Sequence, residues 1–156
     1  MLSKKLQDFL DSHHAHYVAI SHSPAYTAQE IAAKAHIPGH ELAKTVILKI
    51  DGKLAMAVLP ADYLVDLDQL KRSLNAKKIE FANEEEFKYA FPDCEIGAMP
   101  PFGNLYEVET IVAESLTDDE NIAFNAGNHK ELIRIPFKEY EQLVHPRILR
   151  FSRKMH

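Results

Sequence analysis

Three short segments carry residue types that can do chemistry. "LAKTVIL" (42–48) sets a cation, Lys44, at the head of an otherwise apolar stretch. "EIGAMPPFGN" (95–104) concentrates glycine and proline, and "FNAGNH" (124–129) ends on Gly127, Asn128 and His129. A lysine ammonium is a compact point charge suited to a phosphate or an ester oxygen. Gly97 has no Cβ to hold a ligand away, so N–H groups of its loop can donate to a carbonyl or phosphate oxygen. A histidine between two strands can donate a hydrogen bond, carry a proton or simply occupy a turn. Singly, each has a plainer account; Lys44, for instance, could extend from a strand end with its head in water.

The elements around these residues follow from pattern. Asp51-Gly52 between apolar runs predicts a two-residue hairpin joining strands over 44–50 and 53–59. That turn pairs Ile50 with Lys53, Leu48 with Ala55, Val46 with Ala57 and Lys44 with Leu59. Alternation then puts Lys44 on the face of Val46, Leu48 and Ile50, beside the small Ala55 and Ala57. The other face carries the larger Ile47, Leu54, Met56 and Val58. Small side chains next to a lysine suit a modest cavity with one cationic group.

Helices are predicted over 3–12, from Thr27 to a stop at Pro38-Gly39 with Thr27 and Glu30 in capping-box spacing, and over 66–75. Two more are predicted over 83–91, capped by Asn83, and from Pro136 onward. Strands are predicted over 17–22, 77–82, 105–114, 121–127 and 130–135. Strands and helices mix without strict βαβ alternation, so the expected class is α+β, with a mixed, largely antiparallel sheet flanked by helices. No repeat, low-complexity segment or linker interrupts residues 1–156, which read as one domain.

Composition narrows the function classes. The chain has 156 residues, 46% hydrophobic and 26% charged, as in soluble globular proteins. No apolar run approaches the roughly 20 residues that span a bilayer, and "MLSKKLQDFLDSHH" lacks the apolar centre of a signal peptide, so a cytoplasmic protein without a membrane partner is expected. A formal net charge of −5 argues against a protein that coats DNA or long RNA, though not against one that grips a single nucleotide end. Cys94 is the one cysteine, which excludes an internal disulfide and a cysteine metal cluster. "HHAHY" (13–17) and the His36/His40 pair read as surface histidines rather than ligands, because Pro38-Gly39 breaks the helix that would align the pair. "NEEEF" (83–87) reads as acids at a helix N-terminus. In the C-terminal "HPRILRFSRKMH", Arg147, Arg150, Arg153 and Lys154 form either a frayed tail or a small phosphate-facing patch; the tail is the expectation.

In combination, "LAKTVIL", "IGAMPPFG" and "NAGNH" resemble the YbaK-like aminoacyl-tRNA deacylases, relatives of the editing domain inserted in bacterial prolyl-tRNA synthetases. Order and separation agree over roughly residues 20 to 145. The resemblance implies an α+β fold around a barrel-like sheet and hydrolysis of the ester joining a wrongly attached small amino acid to the 3′ end of tRNA. It implies catalytic roles for Lys44, Gly97 and His129, and no metal or other cofactor. It implies substrate contacts from Thr45, Ala98, Met99, Pro100, Pro101, Gly127 and Asn128, to which the hairpin register adds Ala55 and Ala57. The chain departs from several members at Thr45 and in the loop composition Ala98, Met99 and Pro100. The implied partner is the acceptor end of an aminoacyl-tRNA, with a synthetase or elongation factor as a possible source of specificity. The same pocket without turnover would make a silent module that holds a tRNA end or a synthetase. Taken with the other two motifs, Lys44 is expected to be a site residue.

Overall fold

The computed structural model describes residues 3–23, 28–38 and 40–154. Thr27 and Gly39, the predicted cap and stop of the second helix, lie outside them. Ser3 opens α1 (Lys4–Ser12) by accepting the Leu6 N–H on its side chain, and the helix buries Leu6 and Leu10. β1 (Val18–Ser21) and α2 (Ala28–Ala35) follow.

β2 (Ala43–Ile50) and β3 (Lys53–Pro60) form the hairpin in the predicted register, Lys44 opposite Leu59 and Val46 opposite Ala57. Asp51 (φ 50°) and Gly52 (φ 85°) both take the left-handed backbone that a tight hairpin turn requires. The chain continues through β4 (Tyr63–Val65), α3 (Leu67–Leu74) behind its Asp66 cap, β5 (Ile79–Phe81) and the single turn α4 (Glu84–Phe87). In α4, Asn83 and Glu86 form a capping box, so the acidic run is helix-capping chemistry, as read from sequence. β6 (Glu109–Ala113), β7 (Asn121–Asn125), β8 (Glu131–Pro136), α5 (Phe137–Val144), β9 (Arg147–Leu149) and β10 (Ser152–Lys154) complete the order.

The strands form a five-stranded sheet in the order β5-β2-β3-β6-β9, a three-stranded sheet β1-β8-β7 and a two-stranded ribbon β10-β4. Among the described strands only β3–β6 and β6–β9 pair in parallel, which gives the mixed, largely antiparallel α+β fold. The sheet does not close into a barrel. The two larger sheets meet at one parallel bridge, Leu42 to Ala123, where the Ala123 N–H donates to the Glu41 carbonyl at 2.9 Å.

The hairpin is buried on both faces. On one, Ile47, Met56 and Val58 join Phe102, Phe124 and Tyr140 in the largest core cluster. On the other, Leu48, Ala57 and Leu59 pack under Leu70 of α3 and Phe151. Phe151 overturns the frayed-tail expectation. It is fully buried, its carbonyl accepts the Asp66 N–H at 2.7 Å, and the residues either side of it form β9 and β10. Burying one such ring contributes about 2 kcal/mol, enough to hold a short strand that propensity alone would not.

Candidate active site

The Gly97–Pro101 loop is tied down by its carbonyl oxygens. Ile96 O accepts from His129 Nε2 at 3.0 Å, Ala98 O from the Gly127 N–H at 3.0 Å and Pro101 O from the Tyr140 hydroxyl at 2.6 Å. Glu95 adds a reverse bond, donating its N–H to Gly127 O at 2.7 Å. In a trans peptide the N–H points opposite to the C=O of the same unit. Holding Ile96 O and Ala98 O therefore turns the N–H groups of Gly97 and Met99 away from the donors that hold them. Neither N–H has a protein acceptor among the described residues. The loop thus presents two free donors, two residues apart, from a fixed frame. Pro100 and Pro101 have no N–H to offer; Phe102 donates to Pro100 O at 2.8 Å and closes the loop.

His129 is a brace for this frame. A ring nitrogen facing a carbonyl oxygen must be the one that carries hydrogen, so Nε2 is the donor in the Ile96 contact. The side chain is 11% exposed, and Glu95 Oε2 stands 3.9 Å from the same nitrogen. Asn128, expected to touch substrate, shapes the turn between β7 and β8. Its Oδ1 accepts the N–H groups of Lys130 and Glu131, each at 2.8 Å, and its Nδ2 donates to Glu131 at 3.2 Å.

The two glycines differ in what their missing Cβ allows. At Gly127 (φ 100°) a Cβ would lie 2.9 Å from the Ser3 Cβ, so glycine is required there for the N-terminal segment to dock. At Gly97 (φ 85°) a Cβ would meet only His129 Cε1, at 3.7 Å, in ordinary contact. Space beside Gly97 is open.

Ser3 links the two loops. Its N–H donates to Ala126 O at 2.9 Å and its hydroxyl donates to the Asp93 carboxylate, which also accepts from the Tyr106 hydroxyl at 2.9 Å. Burial pushes the Asp93 carboxyl up, but the bonds from Ser3, Tyr106 and Cys94 outweigh it and hold the group below the usual carboxylate range. Beside this tie runs a groove of about 400 Å³ between the 92–95 and 127–130 segments. Sequence reading missed Ser3, Asp93, Tyr106 and Tyr140 because their partners lie 90, 13 and 39 residues away, beyond any local spacing rule.

Among the described residues no hydrogen bond or ion pair joins Lys44 to this knot. Lys44 is half-buried, and burial lowers its pKa from the ordinary lysine value while the charge of Asp62 partly restores it. Alternation keeps it on the face of Val46 and Leu48, whereas Thr45, opposite Val58, faces the side of Ala43 and Ile47, where Met99 and Phe102 pack. Ala98 is fully buried and Met99 nearly so. The Ala55–Ala57 wall is present in register but does not line an open cavity: the two residues are 2% and 0% exposed, and α3 and Phe151 cover Ala57. The described contacts therefore join Gly97, Gly127 and His129, while Lys44 connects to them through the bridge from the start of β2 to β7.

Two of the histidines away from the site have acidic partners. His16 contacts Glu139 at 3.1 Å and His40 contacts Asp119 at 2.9 Å. Among the described residues, no group of three or more His, Cys, Asp or Glu side chains is placed to hold a metal ion. Among the same residues, no helix is long and apolar enough to cross a membrane.

A sequence profile described as the aminoacyl-tRNA editing domain matches residues 22–143. The chain belongs to the aminoacyl-tRNA editing domain family. The matched span contains Lys44, the Gly97 loop and His129, and leaves the N-terminal Ser3 tie and the C-terminal strands outside it. A proline–tRNA ligase of Bacillus mycoides is 27% identical over 93 residues, 60% of this chain but 16% of the ligase, so the editing domain spans a small part of that enzyme's length. The "Multifunctional Ser/Thr-tRNA deacylase ProXp-y" of Escherichia coli K12 is 28% identical over 117 residues, 71% of this chain and 69% of that protein. Among solved structures, a "hypothetical protein" superposes with a TM-score of 0.86 at 18% identity, covering 96% of this chain and 100% of the other. A protein assigned as a trans-editing enzyme for prolyl tRNA synthetase superposes with a TM-score of 0.82 at 19% identity, covering 97% and 96%. At these identities the superpositions establish the shared editing-domain fold.

Proposed function

We propose that the chain is a trans-editing hydrolase that removes a wrongly attached small amino acid, of the size of alanine, serine or threonine, from the 3′ end of tRNA. The observation that carries this reading is the loop whose carbonyls are held back by His129 and Gly127, leaving the Gly97 and Met99 N–H groups as donors for a developing oxyanion. Water, oriented by the neighbouring 2′-hydroxyl of the terminal ribose, attacks the ester carbonyl and gives up a proton. The carbonyl oxygen takes negative charge beside the loop. The bond to the ribose oxygen then breaks, that oxygen takes a proton, and the amino acid leaves as its carboxylate. One preorganised donor is typically worth about 3 kcal/mol of transition-state stabilisation. An aminoacyl ester is already activated, so positioning and electrostatics are sufficient without a protein nucleophile.

Two further features support the reading. Lys44 is partly desolvated, which strengthens its attraction for a terminal phosphate or ribose-linked ester oxygen. Cys94, whose thiol burial pushes up to about 12, is protonated at neutral pH and is no competing nucleophile. The partner is the acceptor end of an aminoacyl-tRNA, delivered in the cytoplasm by a synthetase or elongation factor.

The test is a deacylation time course with tRNAs charged with alanine, serine, threonine, cysteine and proline, run beside Lys44→Ala. Release of one or a few small amino acids, slowed by on the order of 10²-fold in the variant, is the expected outcome. No release above the buffer rate from any of them overturns the assignment and leaves a binding module of the same fold.

A further inference from the structure

The C-terminal cations do not share one environment. Arg147 Nε lies 3.3 Å from Glu109, and Arg150 Nε lies 3.7 Å from Glu114, so both have carboxylate neighbours. Arg153 and Lys154 are exposed on β10 and have no acidic partner among the described residues. These two are held in place by backbone. β10 pairs with β4 in the register Ser152–Val65, Arg153–Leu64, Lys154–Tyr63, and Phe151 pins the strand to the core. The register runs the cations toward a defined point. Tyr63, opposite Lys154, directly follows Asp62, and Asp62 is the charged neighbour of Lys44. A short turn from the end of β3, fixed by the Ala61 N–H donating to Leu42 O at 2.7 Å, makes that connection.

We infer that Arg153 and Lys154 on β10 are a docking surface for the phosphates of the tRNA acceptor strand next to the terminal nucleotide. The inference rests on the proposed deacylase reading and extends it from the scissile ester to the polynucleotide behind it. In a chain of net charge −5, two cations with no acidic partner among the described residues, on a paired strand leading to the Lys44 end of the hairpin, stand out as a local attractor for polyanion. A frayed tail would lose side-chain and backbone entropy on binding; a strand already paired and anchored has largely lost it beforehand. Cations that contact phosphates contribute to affinity and orientation and carry no base information, so this surface fixes how the acceptor end enters without choosing the amino acid.

The test uses the full chain and the double variant Arg153→Glu/Lys154→Glu, assayed on a charged tRNA and on a 3′-aminoacyl adenosine, which carries the ester but no phosphate. On tRNA the variant is expected to raise KM on the order of tenfold with kcat unchanged, and to flatten the dependence of log(kcat/KM) on log[KCl] by about 2. On the aminoacyl adenosine it behaves as wild type. Equal KM and equal salt slope on tRNA overturn the inference. So does an equal loss on both substrates, which would mean that β10 supports the fold instead of touching phosphate. If the wild type releases no amino acid at all, the deacylase reading fails by itself. The surface is then judged by salt titration of uncharged tRNA binding, where the variant must again show the flatter slope.

Discussion

Around Gly97 the backbone is locked: Ile96 O, Ala98 O and Pro101 O each accept from a protein donor, Ser3 donates to Ala126 O beside Gly127, and Asn128 shapes the turn that carries His129. At the open end of the hairpin the polar groups are charges, Lys44 beside Asp62 with Arg153 and Lys154 on the adjoining ribbon, and among the described residues no hydrogen bond or ion pair holds the heads of these three cations. Chemistry needs sub-ångström placement of donors, because misplacement costs rate directly. Capture of a polyanion needs only charge at about the right place, since a Coulomb attraction falls slowly with distance. The two regions differ in what holds their polar groups, which suits the proposed roles of oxyanion donor and phosphate docking.

The most severe way to break the locked end is Gly97→Ala. The fold has room for the methyl, whose nearest neighbour would be His129 Cε1 at 3.7 Å, so the protein is expected to fold. But φ 85° costs a non-glycine residue about 1–2 kcal/mol, and relaxation of that strain rotates the adjoining N–H off target. Deacylation is expected to fall by about 10²–10³-fold in kcat, with KM for tRNA little changed. A fall confined to KM would put Gly97 outside the oxyanion site.

His129 sharpens the same comparison. As a brace it acts through a donated hydrogen bond to Ile96 O, and a glutamine amide can donate the same bond. His129→Ala is expected to lower kcat by roughly 10²-fold, as for a misplaced donor. His129→Gln is expected to recover most of that rate with an unaltered pH profile. A proton carrier would behave otherwise: His129→Gln would be as slow as His129→Ala, and the limb of the profile that reports the imidazole would vanish.

The sequence foretold the hairpin pair for pair because Asp51-Gly52 leaves one turn geometry, and each step of register then follows from alternation. It placed Gly97 on a loop and Gly127 at the end of a strand over 121–127, which in the structure stops at Asn125, but could not see that the two segments clasp each other, since Glu95–Gly127 and Gly127–Ala98 are backbone bonds that any residues could make. Local chemistry also outvoted pattern in places. The strand expected from 105 starts at Glu109, because Gly103–Leu105 forms a 3₁₀ turn and Glu107 has φ 57°. The helix expected over 83–91 stops at Phe87, short of Pro92, whose ring disfavours helix in the residue before it. β10 was misjudged because its one anchor, Phe151, gains its energy from Leu70 and Leu59, far away in sequence.

At the charged end, Lys44 sets capture against stability. Burial holds its folded pKa below the value in the unfolded chain, and Asp62 offsets only part of that. Between the two pKa values the unfolded state binds more protons, so stability rises as pH climbs through that window. Below it, the charged Lys44 is a net cost. Lys44→Met is therefore expected to raise Tm at pH 7 by a degree or two, a discounted figure because the group is only half-buried. The advantage should shrink as pH approaches the ordinary lysine pKa, read by melting curves from pH 7 to pH 10.5. A variant that is less stable at pH 7 would mean that the Asp62 attraction dominates and that Lys44 is a structural ion-pair member.

The smallest effect belongs to Cys94, which lies in the chain of contacts at the locked end yet outside its chemistry. Its thiol is 3.3 Å from the Tyr106 hydroxyl and 3.5 Å from Asp93, and burial followed by the Asp93 charge keeps it protonated, with a pKa pushed up to about 12. A thiol of that kind is a poor nucleophile and a slow target for alkylation. Removing it takes one weak donor from Asp93 but leaves the bonds from Ser3 and Tyr106, which carry the tie between the two loops. Cys94→Ala is thus expected to keep kcat within about twofold of wild type and to cost no more than about 1 kcal/mol in urea unfolding, the scale of one lost hydrogen bond. Asp93→Asn separates the two possibilities that remain if the loss is larger. Equal damage from both variants would place the strength of the tie in the thiol, whereas damage from Asp93→Asn alone keeps it in the carboxylate that Ser3 and Tyr106 share.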